Sequence, residues 1–262
     1  MTRIRMVGLC LVAVFALSAV AASGASARTA ERGACKVAKK GLGEYTEALC
    51  LTAGVKAGPK KEYVWVPQAA GTPTAFTSKT GPATLKSYTP EGAELPAVEC
   101  KKSAGKGKEG KTESTSVVTF SECESAGEKC TGGKKAKAGQ IITFELKGTL
   151  GVISEAKSEV GEDLVGQGPG GLSSEFKCGA NEIKTRGSVI GKVAKVNAKA
   201  SATNELIFAA AGKEQLPEKF EGGAKDTLET EINGLGFGTF PFASVEITTA
   251  TVKGKSAETR LF

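Results

Sequence analysis

Several short motifs in this sequence have the residue types and spacing of known binding sites. Residues 105–112 match G-x-x-x-x-G-K-T, in which backbone N–H groups, a lysine and a hydroxyl hold nucleotide phosphates and magnesium. That chemistry needs a helix directly after the motif, whereas residues 113–120 have the pattern of a strand. The only aspartates, Asp163 and Asp226, do not end apolar strands that could hold magnesium. We therefore expect no nucleotide as ligand, and no nucleic acid, because the positive net charge is too small to indicate one.

The sequence also offers little support for any set of catalytic residues. The chain contains no histidine, which excludes Ser-His-Asp and Cys-His catalysis. The motif S-x-x-K occurs at residues 103–106 and 154–157, after the motif K-T-G at residues 79–81. In penicillin-recognising enzymes the two motifs come in the reverse order. Glu229 and Glu231 share a strand face with carboxyls about 7 Å apart, near the separation that sugar hydrolases use. Because aromatic surfaces for sugar rings are scarce, we expect a non-enzyme. A carboxylate-based enzyme acting on an envelope or extracellular polysaccharide is the alternative.

Tyr63 and Trp65 are the best aromatic candidates for a binding platform. They lie on one face of a short strand, where a pair of rings could stack on a ligand. Packing within the fold is the competing interpretation, because strand aromatics usually pack. The sequence also lacks C-x-x-C pairs and a D-x-D-x-D-G run. We therefore expect no metal and no cofactor.

Seven cysteines are present, of which Cys10 lies in the N-terminal apolar segment. The other six allow 15 disulfide pairings, and the sequence does not choose among them. The preferred set is Cys35–Cys50, Cys123–Cys130 and Cys100–Cys178, in which two bridges close short loops and one joins distant strands.

The N-terminus has the features of a secretory signal peptide. A basic start with Arg3 and Arg5 precedes an apolar run, and the small residues at 25–27 form a cleavage site. We predict a helical signal peptide over residues 1–27, a single exported domain over 28–262, and export by the general secretory route. An uncleaved anchor is the alternative, and nothing after the signal is long enough to span a membrane. The protein is then secreted or held at the cell surface, where disulfides persist.

Short strand-like runs separated by Gly, Pro, Lys and Ser dominate the rest of the chain. So many short strands predict a mainly β, disulfide-stabilised domain. Its strands are expected to form an antiparallel β-sandwich or a barrel-like sheet. Residues 188–196 also fit a short helix, and the Lys/Gly segments 101–111 and 132–139 are predicted to be exposed loops. The predicted strands are 63–66, 114–121, 140–146, 173–178, 188–196, 204–209, 227–232 and 243–253.

Several landmarks in order resemble a group of uncharacterised exported proteins of soil actinobacteria, to which no activity is attached. They are Cys35 and Cys50, Tyr63-x-Trp65, residues 118–123 with Cys130, residues 143–153, Phe176-x-Cys178 and residues 187–191. The resemblance implies one disulfide-stabilised β-rich domain and no site residue. The net charge of +7 favours anionic envelope polymers as partners. We expect a structural or ligand-binding protein of the cell envelope or extracellular space.

Overall fold

The computed structural model describes residues 29–54, 61–69, 71–199, 203–234, 242–254 and 257–262, and these consist almost entirely of β-strands. The predicted signal peptide lies outside the described residues. The strands are β1 (Ala30–Val37), β2 (Tyr63–Pro67), β3 (Thr74–Thr80), β4 (Ala83–Tyr88), β5 (Val98–Glu109), β6 (Glu113–Ser125), β7 (Glu128–Thr131), β8 (Gln140–Ile142), β9 (Leu146–Ser154), β10 (Glu159–Gly166), β11 (Leu172–Cys178), β12 (Asn181–Val193), β13 (Thr203–Ala211), β14 (Glu214–Leu216), β15 (Leu228–Ile232), β16 (Phe242–Gly254) and β17 (Glu258–Leu261).

Most of these strands form one antiparallel sheet that closes on itself. The ring has eight positions. In order, they are occupied by β3 and β4, by β5, by β6, by β8 and β9, by β10 and β11, by β12, by β13 and β15, and by β16, which pairs back to β3 and β4. Where two strands share a position they run end to end, as β3 and β4 do across residues 81–82. Consecutive positions are adjacent in the chain, so short turns suffice and closure leaves few free edges. The barrel-like alternative is therefore confirmed, and we call this element the closed sheet.

Seven of the eight predicted strands coincide with single strands of the structure, while residues 140–146 divide between β8 and β9. Residues 188–193 lie in β12, so the helical alternative there is wrong. The expected loop at 132–139 is confirmed. The expected loop at 101–111 is wrong, because β5 continues to Glu109 and only a short turn follows. The physical reason is period-2 alternation: Ser103, Gly105 and Gly107 face the crowded interior while Lys106 and Lys108 point to solvent.

All six cysteines form disulfides, but only one predicted pairing is confirmed. Cys35–Cys50 forms as expected, with Cα atoms 5.8 Å apart. The predicted pairs Cys123–Cys130 and Cys100–Cys178 are wrong, because the structure joins Cys100 to Cys123 and Cys130 to Cys178.

The positions of these four cysteines explain the observed pairing. Cys100, Cys123, Cys130 and Cys178 lie side by side on the neighbouring strands β5, β6, β7 and β11. Both observed bridges join residues directly opposite in register. Pairing the two central cysteines would leave the outer two about 14 Å apart, three strand spacings, which no disulfide spans.

A second, three-stranded sheet of β17, β1 and β2 covers one end of the closed sheet, and we call it the lid. Its strand β1 pairs with the C-terminal strand β17 over Ala30–Gly33 and Glu258–Leu261. Ala30 and Leu261 pack into an apolar cluster with interior residues of β9, β10 and β12, namely Leu150, Val160 and Val193. The opposite end is filled by a second cluster that contains the four-cysteine row. Among the described residues, no helix is long and apolar enough to cross a membrane.

Candidate functional site

The interior of the closed sheet contains a cavity of about 150 Å³ between the two apolar clusters. All eight strand positions of the ring contribute residues to its lining. The lining is mainly apolar, and its largest members are Phe76, Phe120, Phe176, Phe208, Leu85, Ile141, Leu146, Leu164, Leu206 and Leu228. A mainly apolar space with several aromatic rings is a favourable environment for a small apolar molecule.

Interior glycines position two of these rings. A Cβ on Gly107 would lie 2.7 Å from Cζ of Phe76, and a Cβ on Gly191 would lie 2.7 Å from Cζ of Phe208. Both distances are far below van der Waals contact, so each ring lies flat against backbone that must carry no side chain. The glycines of β5 and β12 therefore make room for the aromatic lining.

Several hydroxyl groups in the lining pair with each other. Thr80 Oγ1 and Ser103 Oγ are 2.8 Å apart, and Ser174 Oγ and Thr185 Oγ1 are 2.7 Å apart. Pairing satisfies these buried hydroxyls without a ligand. The apolar atoms of the lining therefore determine most of what the cavity can hold.

Glu162 of β10 is one of two carboxylates that line the cavity, and both of its oxygens have partners. Its Oε1 accepts a hydrogen bond from Ser114 Oγ, and its Oε2 lies 2.9 Å from Nη2 of Arg32 in the lid. Arg32 also contacts Glu109, at 3.4 Å. Burial raises the pKa of Glu109, while the Arg32 guanidinium opposes that shift. This cluster is a buried junction between the lid and the closed sheet.

Glu246 of β16 is the second carboxylate in the lining, and its environment differs. No hydrogen bond or ion pair involves its carboxyl among the described residues. Burial raises its pKa to about 7, because the charged form loses hydration without gaining a counter-ion. Its exposed fraction is intermediate because its carboxyl faces the cavity. Glu246 is therefore a carboxyl that is half ionised near neutral pH inside an apolar cavity.

The peptide group of Glu246 is held in place by a side chain. Strands β13 and β15 share one position of the ring and leave a gap beside Glu246. The Gln215 amide fills that gap: it donates to the carbonyls of Ala209 (2.8 Å) and Glu246 (3.0 Å) and accepts from the Glu246 N–H (2.8 Å). These bonds fix the backbone from which the Glu246 side chain enters the cavity.

Tyr63 and Trp65 lie in the lid, away from the cavity lining. Trp65 is only 8% exposed, and its Nε1 donates to Glu31 at 2.6 Å. The Arg260 guanidinium lies 4.3 Å from the Trp65 ring centroid, and the ring of Phe262 meets it edge-on at 5.5 Å. The Trp65 ring therefore packs within the lid and has its near face covered.

Glu229 and Glu231 form ion pairs across β15 and β12. Glu229 Oε2 lies 2.9 Å from Arg186 Nε, and Glu231 Oε1 lies 3.8 Å from Lys184 Nζ. Neither carboxylate lines the cavity. The phosphate-loop match at 105–112 is divided between β5 and the turn that follows it, and β6 follows instead of a helix. That arrangement provides no helix N-terminus for a phosphate.

Sequence reasoning missed every member of the cavity. Glu246 lies in a strand that was predicted, at residues 243–253, but no prediction was made of which of its side chains face the interior. In the structure Ser244, Glu246 and Thr248 face inward, and Ile247 is 37% exposed. A usable signal was the spacing of Phe76, Phe120, Phe176 and Phe208, one on each of four separate strands.

Among the described residues, no group of three or more His, Cys, Asp or Glu side chains could hold a metal ion. Comparisons with protein-family models, with curated proteins and with solved structures found no match to this chain.

Proposed function

We propose that this protein is a non-catalytic exported binding protein that holds one small apolar molecule inside the closed sheet. The observation that carries the proposal is the cavity of about 150 Å³ with four phenylalanines in its lining. A cavity of ~150 Å³ lined by Leu, Ile and Phe stays dry in another protein and binds benzene. Three disulfides are consistent with an extracellular protein.

Two features favour binding over a carboxylate-based polysaccharide enzyme. A glycosidase needs two reactive carboxyls, one that exchanges a proton and one that acts as nucleophile or base, whereas both oxygens of Glu162 already have partners. The cavity also has room for about one ring and not for a polysaccharide chain.

The direct test is toluene binding measured by thermal unfolding and by chemical shifts. Saturating toluene is expected to raise the melting temperature, because a ligand that binds only the folded state stabilises it. Ala250→Phe, which fills the cavity, should abolish the shift. Ala104→Phe, a matched substitution on the exposed face of β5, should preserve it. No toluene effect on the unmodified protein would refute the proposal.

A second candidate function is the attachment of an anionic envelope polymer to the outer surface. Lys79, Lys106, Lys108 and Lys253 are exposed on the adjacent strands β3, β5 and β16, and no ion pair involves them among the described residues. Neighbouring strands lie about 4.8 Å apart, so these ammonium groups form one continuous basic patch. Such a patch attracts polyanions in a salt-dependent way.

Binding to a glycerol-phosphate polymer tests the basic patch. Lys106→Glu combined with Lys253→Glu should weaken binding severalfold and reduce its dependence on salt. The matched control is Lys134→Glu with Lys135→Glu, which reverses two exposed lysines in the loop at 132–139. Equal losses in both double variants would mean that only net charge matters and that the patch is not a site.

A further inference from the structure

The position of Glu246 suggests which kind of molecule the cavity accepts, an inference that rests on the proposed binding function. Its carboxyl faces an otherwise mainly apolar lining and has no polar partner among the described residues. The nearest inward-facing hydroxyls on β16 are engaged elsewhere. Ser244 Oγ pairs with Ser87 (2.9 Å) and Thr230 (2.6 Å), and Thr248 donates to the Pro82 carbonyl.

The charge balance of the lining is acidic. Among the described residues, Glu162 and Glu246 are the only charged ones that line the cavity. Arg32 compensates Glu162 but has no contact with Glu246. Because a buried charge is normally paired or neutralised, Glu246 lacks the counter-charge that Arg32 provides for Glu162.

We infer that the ligand is a small apolar amine, whose protonated nitrogen pairs with the Glu246 carboxylate while its hydrocarbon part contacts the phenylalanine-rich lining. A cation supplies the missing counter-charge, and an anionic ligand would be repelled. The size of the cavity limits the hydrocarbon part to about one aromatic ring.

Binding of such an amine should depend on pH. The strands packed against β16 present no titratable side chain to the cavity: their lining residues there include Phe76, Leu85, Leu206, Phe208 and Leu228. Across the cavity the only charged lining residue is Glu162, paired with Arg32. Since burial raises the pKa of Glu246 to about 7, the carboxyl is protonated at pH 5 and mostly ionised at pH 8. An amine that stays protonated should therefore bind more tightly at pH 8.

The experiment compares benzylamine with toluene, which have nearly the same shape but differ in charge. Dissociation constants are measured by calorimetry at pH 8 and pH 5 for the unmodified protein, Glu246→Gln and Glu205→Gln. Glu205 is an exposed carboxylate on the outer face of β13, so the last variant controls for net charge. The melting temperature of each unliganded variant establishes that it is folded.

We expect Glu246→Gln to weaken benzylamine binding at pH 8 by about tenfold or more, the effect of losing one charge-assisted hydrogen bond. Toluene has no charge to pair with Glu246, so Glu246→Gln should not weaken toluene binding, and Glu205→Gln should have no effect on either probe. If toluene binds but benzylamine binds no better and ignores Glu246→Gln, the amine inference is wrong while the proposed function stands. If neither probe binds the unmodified protein, both are wrong.

Discussion

At the scale of single residues, the two aspartates of the chain form an unusual pair on the outside of the closed sheet. Asp163 lies on β10, and Asp226 accepts a hydrogen bond from Ser188 Oγ at 2.9 Å. Oδ1 of Asp163 and Oδ2 of Asp226 are buried without a hydrogen-bond partner. Burial, reinforced by the neighbouring charge of Asp226, raises the pKa of Asp163 to about 6. Burial also raises the pKa of Asp226.

This pair makes the folded state less stable as pH rises. Between the usual pKa of an aspartate and about 6, the folded protein retains a proton on Asp163 that the unfolded chain has lost. The contribution of this pair to stability therefore falls with increasing pH across that window and is constant above it. The contribution is most favourable below the usual pKa of an aspartate, where both states are protonated.

Asp163→Asn should stabilise the protein at pH 7 by about 1–2 kcal/mol, a value reduced for the partial exposure of the group. The amide carries no charge to desolvate and can donate a hydrogen bond toward Asp226. The gain should vanish toward pH 4, where the aspartate is protonated in the folded state. Urea unfolding between pH 4 and pH 8 measures it, with Glu205→Gln as an exposed control. A loss of stability at pH 7 would contradict this account.

At the scale of strands, one side chain replaces backbone pairing where the ring is interrupted. Gln215 of β14 is buried and makes three hydrogen bonds to backbone groups of β13 and β16. A strand would satisfy these groups if β13 and β15 were continuous. Buried peptide groups left without partners cost about 1–3 kcal/mol each.

Gln215→Ala should therefore destabilise the protein by about 2–3 kcal/mol and speed hydrogen exchange of the Glu246 amide. Chemical unfolding and exchange spectra measure the two effects. The control is Gln167→Ala, since Gln167 is exposed and donates only to the carbonyls of Val165 and Gly166. That substitution should cost less than about 0.5 kcal/mol. If both variants lose similar amounts of unfolding free energy, water can satisfy the backbone groups beside the gap and Gln215 is not needed there.

Strand-level prediction succeeded where apolar residues alternate with polar ones and failed where small residues occupy the inner face. Residues 228–232 were found because Leu228 and Thr230 alternate with glutamates. Most of β5 was taken for a loop, because glycines and serines in its inner face leave no apolar stripe to detect. The cavity could not be predicted at all. Its lining combines single residues from strands far apart in the chain, and only closure of the sheet brings Glu246 and the phenylalanines together.

At the scale of the whole molecule, the two ends of the described chain meet in the lid and close one end of the sheet. Thr29 and Phe262 exchange backbone hydrogen bonds, and β1 pairs with β17. The lid joins the closed sheet through the apolar cluster around Leu261, the ion pairs of Arg32 and hydrogen bonds such as that from the Arg32 N–H to the Lys111 carbonyl (2.7 Å). Because the ion pairs are buried, removing their cation would leave uncompensated carboxylates beside the cavity.

Arg32→Ala should destabilise the protein by about 3–5 kcal/mol at pH 7, the cost of breaking a buried ion pair from one side. The cost should shrink as pH falls, since burial raises the pKa of Glu109 and its carboxyl can then be protonated instead of paired. Lys147→Ala is the matched control, because Lys147 and Glu113 form an exposed pair at 2.9 Å that should contribute less than about 1 kcal/mol. Adding Glu162→Gln to Arg32→Ala should restore part of the loss, because the amide can still accept from Ser114 without a charge. Guanidinium unfolding at pH 7 and pH 4.5 measures all four proteins. If Arg32→Ala costs no more than Lys147→Ala, the ion pairs of Arg32 do not contribute to holding the lid.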